Sequence, residues 1–269
     1  MKITQRSTRK KMARYGWRPD VIVNHITEGG YSGAVGWLST GSGQVSSHFV
    51  TSRRGEVTQI VPLEWAAWCN GTQWFNAQNA YFTGRAKSAL VRERRTNANY
   101  FSVSIEHEGW TGKTDGQLTE AQYQATLELH KHIITELERI YNFTFKIDRD
   151  HIIGHVDVAP REKPTCPGKY FPFNRLIADL RAWRYGDTPA PAPRPADAPF
   201  NPDGIFNARI TCDTLNVRKG AGVGYPIVKQ LHYNGVYTVT EERDGWGRLK
   251  SCKDWWICLD YVRREPLRR

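Results

Sequence analysis

A chain of 269 residues with 39% hydrophobic residues is long enough for one large domain or two, each with a real core. Net charge is +11, which points to a polyanionic partner, and no apolar run reaches the roughly 18 residues of a membrane-spanning helix. Five cysteines (Cys69, Cys166, Cys212, Cys252 and Cys258) form an odd set without framework spacing, which excludes a disulfide scaffold and fits synthesis in a reducing cytoplasm.

Residues 1–20 are polar and basic. They lack the apolar stretch of a secretory signal and read as a solvated arm. Val21–Asn24 is an apolar strand that ends at His25. The Gly/Ser-rich stretch Gly29–Gly43 reads as a loop, interrupted by Tyr31, Trp37 and Leu38. Ser47–Thr51 and Val57–Val61 then form a hairpin through a turn containing Gly55. Trp68 and Cys69 follow, with a helix expected near Arg85–Arg95. Phe101–Glu106 alternates like a strand and leaves Glu106 just past its last apolar position. A carboxylate there is costly in a core and useful at a site.

Thr119-Glu120-Ala121-Gln122 is a capping box. Behind it Tyr123, Leu127, His130, Ile134, Leu137 and Tyr141 recur at three- and four-residue spacing, so a long amphipathic helix is expected with His130 as a core histidine. A second helix is expected over Asn174–Trp183. Strands alternating with helices predict an α/β catalytic unit over 1–185, a mixed sheet flanked by helices. Residues 186–203 are rich in Pro and Ala and read as a semi-rigid linker. Short strands with glycine turns over 204–269 predict a small all-β barrel.

The stretch Asp150–Gly168 concentrates the chemistry. Ile152 and Ile153 lead into His155, and a loop stiffened by Pro160, Pro164 and Pro167 delivers Cys166. With His25 these residues are a His, His, Cys set, which suits a borderline-soft ion such as Zn²⁺ with one position left to water. Satisfied strand-end histidines are the bland alternative. A Cys166–His155 hydrolase, with Asp157 orienting the imidazole, is a further one.

Four segments are similar to the zinc-dependent N-acetylmuramoyl-L-alanine amidases that share a fold with peptidoglycan recognition proteins. They are Val21–Thr27, Val45–Val50 with Gly55–Val57, Phe101–Gly109 and Asp150–Gly168. The resemblance implies Zn²⁺ held by His25, His155 and Cys166, with Glu106 as general base, since Ser47 stands where some members use a tyrosine. It also implies Lys163 as the oxyanion cation, although Pro164 and Thr165 separate it from Cys166 where many relatives have one residue. Trp68 and His48 are implied substrate contacts. Cys69 replaces the histidine of a common Ala-Trp-His-x-Gly phrase.

In 204–269, the Leu215–Arg218, Gly245–Arg248 and Trp256–Val262 phrases resemble bacterial SH3-like domains. The implied protein is a monomeric phage or prophage endolysin. It would be made in the host cytoplasm without a signal peptide and act on peptidoglycan, and possibly anionic wall polymers, after release. A non-catalytic wall-recognition protein is the alternative from another class. Nucleic-acid binding has only the charge behind it, so no nucleic-acid partner is expected.

Overall fold

The computed structural model describes residues 1–186, 205–211, 214–222, 225–243, 245–265 and 267. Nearly all of the expected linker 186–203, and Cys212, lie outside the described residues. Two compact units are distinguished, Met1–Arg181 and Ala182–Arg269.

The first unit is built on a six-stranded mixed sheet. Its strands are β1 (Ile3–Gln5), β3 (Val21–Ile26), β4 (Phe49–Thr51), β5 (Val57–Gln59), β7 (Ser102–His107) and β8 (Ile152–Gly154), in the order β1-β5-β4-β7-β3-β8. A separate two-stranded ribbon pairs β2 (Lys11–Met12) with β6 (Ala66–Ala67). Only β4 and β5, the expected hairpin, are antiparallel within the large sheet.

Alternation of side chains along a strand sends neighbours to opposite faces. Ile22, Val103, Ile105 and Ile152 accordingly pack on one face against α3 (Glu120–Tyr141) and α5 (Phe173–Tyr185), through Leu129, Ile133, Leu137, Leu176 and Leu180. Val21, Val23 and Ile153 pack on the other with Phe101 and with Val91 of α2 (Ala89–Arg94). Helix α3 begins with half of the expected capping box: Thr119 Oγ1 accepts from the Gln122 amide at 3.1 Å, while the Gln122 side chain turns away to donate to the Glu108 carbonyl at 3.1 Å.

Two expectations are corrected. Tyr31–Ser39, within the expected glycine-rich loop, is helix α1. Val35 and Leu38, three residues apart, bury against Val50 and Ile60, and this packing overrides the poor helix propensity of Gly33 and Gly36. The basic arm is not a solvated segment either. β1 pairs in parallel with β5, and the backbone ladder holds it although its side chains are polar. Arg14 is 5% exposed.

His130 is fully buried on α3. Its Nδ1 donates to the Thr126 carbonyl at 2.8 Å, while Nε2 has no partner. Burial pulls its pKa down to about 4. An unfolded histidine titrates near 6.5, so the unfolded chain takes up a proton that the folded chain refuses. Stability contributed by the neutral ring is full above pH 6.5 and falls by about 1.4 kcal/mol per pH unit down to about 4. A His130→Leu variant removes this slope. Urea midpoints of both proteins between pH 4.5 and 7.5 check it, with parallel curves as the contrary result.

The second unit is a seven-stranded antiparallel sheet, ordered β11-β10-β14-β13-β12-β9-β15. Its strands are β9 (Phe206–Ile210), β10 (Thr214–Arg218), β11 (Ile227–His232), β12 (Val236–Arg243), β13 (Trp246–Leu249), β14 (Trp256–Cys258) and β15 (Val262–Glu265). Ala208, Ile210, Val217, Val239 and Ile257 form its core, and Trp255 and Tyr261 pack against it.

Candidate metal centre

Three adjacent parallel strands deliver the chemistry to one edge of the sheet. His25 is the penultimate residue of β3 and sits in register with Glu106, also penultimate, on β7. On the other side of β3, Asn24 is in register with Gly154, so His155 follows at the very end of β8 and opens the short helix α4 (His155–Val158). Side chains at the carboxyl ends of parallel strands face the crevice where such sheets place their sites.

The loop carrying Cys166 closes on this edge by backbone contact. Cys166 accepts from the Val156 amide at 2.9 Å through its carbonyl, and its Sγ accepts from the Ile26 amide at 3.4 Å. Two glycines permit the approach. A Cβ on Gly154 would stand 2.6 Å from Pro167 Cδ, and one on Gly168, at φ +115°, would stand 2.0 Å from the Asp115 carbonyl carbon.

His25, His155 and Cys166 each offer one donor atom, and the three atoms lie within 4.8 Å of one another. The two imidazoles meet edge to face with centroids 4.4 Å apart, and Cys166 Sγ is 4.0 Å from His25 Nδ1. Burial, with the charge of nearby Lys163, holds the His155 ring neutral down to about 3. Burial likewise lowers His25 well below the ordinary range, and it lifts the Cys166 thiol to about 12. Neutral imidazoles keep their lone pairs for a cation, and a cation in turn favours the thiolate. Two nitrogens and a sulfur at this spacing fit a tetrahedral Zn²⁺.

Glu106 flanks the set, its Oε1 3.9 Å from His25 Nδ1. Oε2 is buried and has no hydrogen-bond partner. Burial pushes this carboxyl up to about 8.

Residues 15–169 match the family of N-acetylmuramoyl-L-alanine amidases. The chain belongs to this family. It is 30% identical over 138 residues to the 1,6-anhydro-N-acetylmuramyl-L-alanine amidase AmpD of Haemophilus influenzae, a span of 51% of this chain and 60% of that protein. With N-acetylmuramoyl-L-alanine amidase A of Achromobacter lyticus it shares 27% identity over 164 residues, 57% of this chain and 78% of that one. Among solved structures it is similar to AmiD from E. coli, in complex with anhydro-N-acetylmuramic acid-L-Ala-D-gamma-Glu-L-Lys. That similarity is at 24% identity with a TM-score of 0.43, covering 61% and 59% of the two chains. The chain thus spans about 60% of the length of the AmpD relative.

The other residues expected of an amidase divide. Lys163 is exposed, and its positive charge reaches His25, His155, Glu106 and Cys166, acting on the titration of each. Trp68 is half-buried beside Cys69, with its indole Nε1 buried and unpartnered. His48 is 1% exposed. Its Nδ1 accepts from the Ser104 amide at 3.0 Å, so Nε2–H donates to the Trp65 carbonyl at 3.0 Å. Burial and the adjacent Arg14 guanidinium hold it neutral down to about 3. With both nitrogens bonded inside the protein, His48 is placed to brace the sheet, and a substrate contact would break those bonds.

Asp157 is committed elsewhere. Its Oδ2 accepts from the Gly154 amide at 2.9 Å and from Arg149 at 3.1 Å, which caps the turn that carries His155. Cys69, which replaces the histidine of the family's common phrase, stands inside the site, with Sγ 3.7 Å from Glu106 Oε1. Its backbone amide and that of Asn70 both donate to Asn99 Oδ1, at 3.2 and 2.6 Å. Nothing in the residue pattern marked Asn99 as the support of this turn.

Proposed function

We propose that this chain hydrolyses the amide between N-acetylmuramic acid and the L-alanine of peptidoglycan stem peptides, with Zn²⁺ held by His25, His155 and Cys166. The observation that carries this reading is the convergence of those three donors beside Glu106, in a chain of the amidase family. Zn²⁺, when bound, lowers the pKa of a water from about 16 to about 7 and polarises a carbonyl. Glu106 takes the proton of the attacking water at its carboxylate and returns one to the leaving amine. Lys163 supplies a cation where negative charge develops on the scissile carbonyl oxygen. Trp68 lines the approach of the substrate.

The second unit is proposed as an SH3-like wall-binding module of an endolysin that raises the local concentration of substrate, with peptidoglycan and anionic wall polymers as its partners. A phage or prophage origin, synthesis in the host cytoplasm and a monomeric state belong to the same reading. No described helix is long and apolar enough to cross a membrane.

The deciding experiment is digestion of purified peptidoglycan with and without a chelator, read by mass spectrometry. New L-alanine amino termini on intact glycan, abolished by chelator and restored by Zn²⁺, are expected. New reducing sugar ends would refute the amidase reading. Cleavage that ignores chelator but stops on alkylation would make Cys166 a nucleophile, against the raised pKa of its thiol. Binding without cleavage would leave a recognition protein.

A Lys163→Ala variant is expected to lose about 10²–10³-fold in kcat, as removal of one oxyanion donor does elsewhere, while zinc content by atomic absorption stays at the wild-type level. Full activity would remove Lys163 from the mechanism.

A further inference from the structure

The two ring nitrogens of His25 face different surroundings. Nδ1 is the one that Cys166 Sγ and Glu106 Oε1 approach, at 4.0 and 3.9 Å. Nε2 is the one nearer the turn Cys69-Asn70, with Cys69 Sγ at 3.6 Å against 3.9 Å from Nδ1. A neutral imidazole carries one N–H and one lone pair. It can offer Nδ1 to a cation only while its proton stays on Nε2, so whatever accepts from Nε2–H decides whether the ring is ready as a ligand.

Asn70 is placed to be that acceptor. Ser102, Ser104 and Glu106 alternate along β7 and share one face, and in the ladder they stand beside Val21, Val23 and His25 of β3. The buried Asn70 lies on this face, its Nδ2 donating to Ser102 Oγ at 2.9 Å and to Ser104 Oγ at 2.8 Å. Ser102 Oγ spends its own proton on Ala98 O at 2.7 Å, so toward Asn70 it can only accept. That fixes which end of the carboxamide is nitrogen. The next residue along the face is His25, on the side left to Oδ1. Oδ1 is buried and meets no donor at full hydrogen-bond geometry, an orphan acceptor that a fold rarely keeps without use. Burial disfavours a proton on His25 most strongly, and Asn70 works against it as a hydrogen-bond acceptor. Cys69 is the poorer partner, since sulfur accepts weakly and its Sγ is turned to Glu106 Oε1 at 3.7 Å.

We propose that Asn70 is a positioning residue, its Oδ1 accepting the Nε2–H of His25 and so keeping the Nδ1 lone pair free for the metal. The proposal rests on the reading of His25 as a ligand. Asn70 stands at the x of the Ala-Trp-His-x-Gly phrase, so the phrase itself assigns it no role.

The test compares the full-length wild type with Asn70→Ala, Asn70→Asp and His25→Ala. Nitrogen NMR of the metal-free proteins near neutral pH reads the tautomer of His25, whose signal the His25→Ala spectrum assigns. Zn²⁺ affinity is measured against a chelating dye, with circular dichroism as the control for folding. The wild type is expected to hold the Nε2–H tautomer. Asn70→Ala should mix the tautomers and bind Zn²⁺ about 10–100-fold more weakly. Asn70→Asp keeps an acceptor oxygen but cannot donate to Ser102 and Ser104, and it should recover the tautomer and most of the affinity. A merely structural Asn70 predicts the opposite, with Asn70→Asp as weak as Asn70→Ala, and that result overturns the proposal. An Nδ1–H ring in the wild type overturns it without any variant. Zn²⁺ affinity lost in His25→Ala but unchanged in Asn70→Ala overturns this proposal alone, and affinity unchanged in His25→Ala overturns the ligand reading as well.

Discussion

Replacing Glu106 with glutamine is expected to lower kcat by about 10²–10⁴-fold, the range a positioned general base supplies. The substitution keeps the volume of the side chain and one carbonyl oxygen, so the packing beside His25 is preserved. It removes the only feature the mechanism needs, a group that can hold a proton. Buried without a cation, the Glu106 carboxyl is pushed up to about 8. Lys163 opposes that shift, and a bound divalent cation would oppose it further. The carboxylate is thus poised to exchange a proton near neutral pH once the centre is loaded. Zinc content must be measured alongside turnover. A slow variant with full zinc supports the assignment, and wild-type rates with full zinc would end it. A slow variant that has lost zinc would instead make Glu106 a ligand.

The frame of the site was legible because strands announce themselves. Val21–Ile26 and Ile152–Gly154 are largely apolar and Ser102–His107 alternates apolar with polar residues, each ending near a residue too polar for a core, and the fold sets those endings side by side. Register could not be read from one chain, so the pairing of His25 with Glu106 emerged only from the structure. Short polar edges were illegible for a different reason. Ile3–Gln5 is held by backbone bonds to β5, and no side-chain pattern reports those. Helix α1 was hidden by its glycines, because Val35 and Leu38 are the apolar residues that pay for it through burial against the sheet. The two readings that moved furthest, His48 inward and Cys69 into the site, share a cause. Residue type alone says what a side chain can do, and burial and neighbours decide which of those things it does. His48 is spent on Ser104 and Trp65, while Cys69 is aimed at an imidazole.

Arg14 carries the other large expectation. An arginine is rarely buried unless its donors are satisfied, and here the protein satisfies them with main-chain carbonyls. Nε donates to Leu63 O at 3.0 Å, and Nη1 donates to Tyr100 O at 2.9 Å and Ser102 O at 3.0 Å. One guanidinium thus ties the N-terminal segment to the chain after β5 and to the entry of β7, the strand that presents Glu106. Burial lowers its pKa to about 10, which still leaves it charged at neutral pH. Arg14→Met keeps much of the length and removes the fork, and with it the guanidinium donors to all three carbonyls, of which Leu63 O keeps a bond from the Tyr141 hydroxyl at 3.4 Å. A loss of about 3–5 kcal/mol is expected, a large share of the 5–15 kcal/mol typical of a folded domain. Arg14→Lys should recover only part of it, because a single ammonium cannot reach carbonyls arranged for a planar fork. Urea unfolding followed by tryptophan fluorescence measures both variants. A midpoint for Arg14→Met within about 0.5 kcal/mol of wild type would show the segment to be held by its β-ladder alone. The intended outcome also bears on the site. If the entry of β7 loosens, zinc affinity falls with stability although Arg14 touches no ligand, and the metal centre is then shown to depend on the same tie that closes the fold.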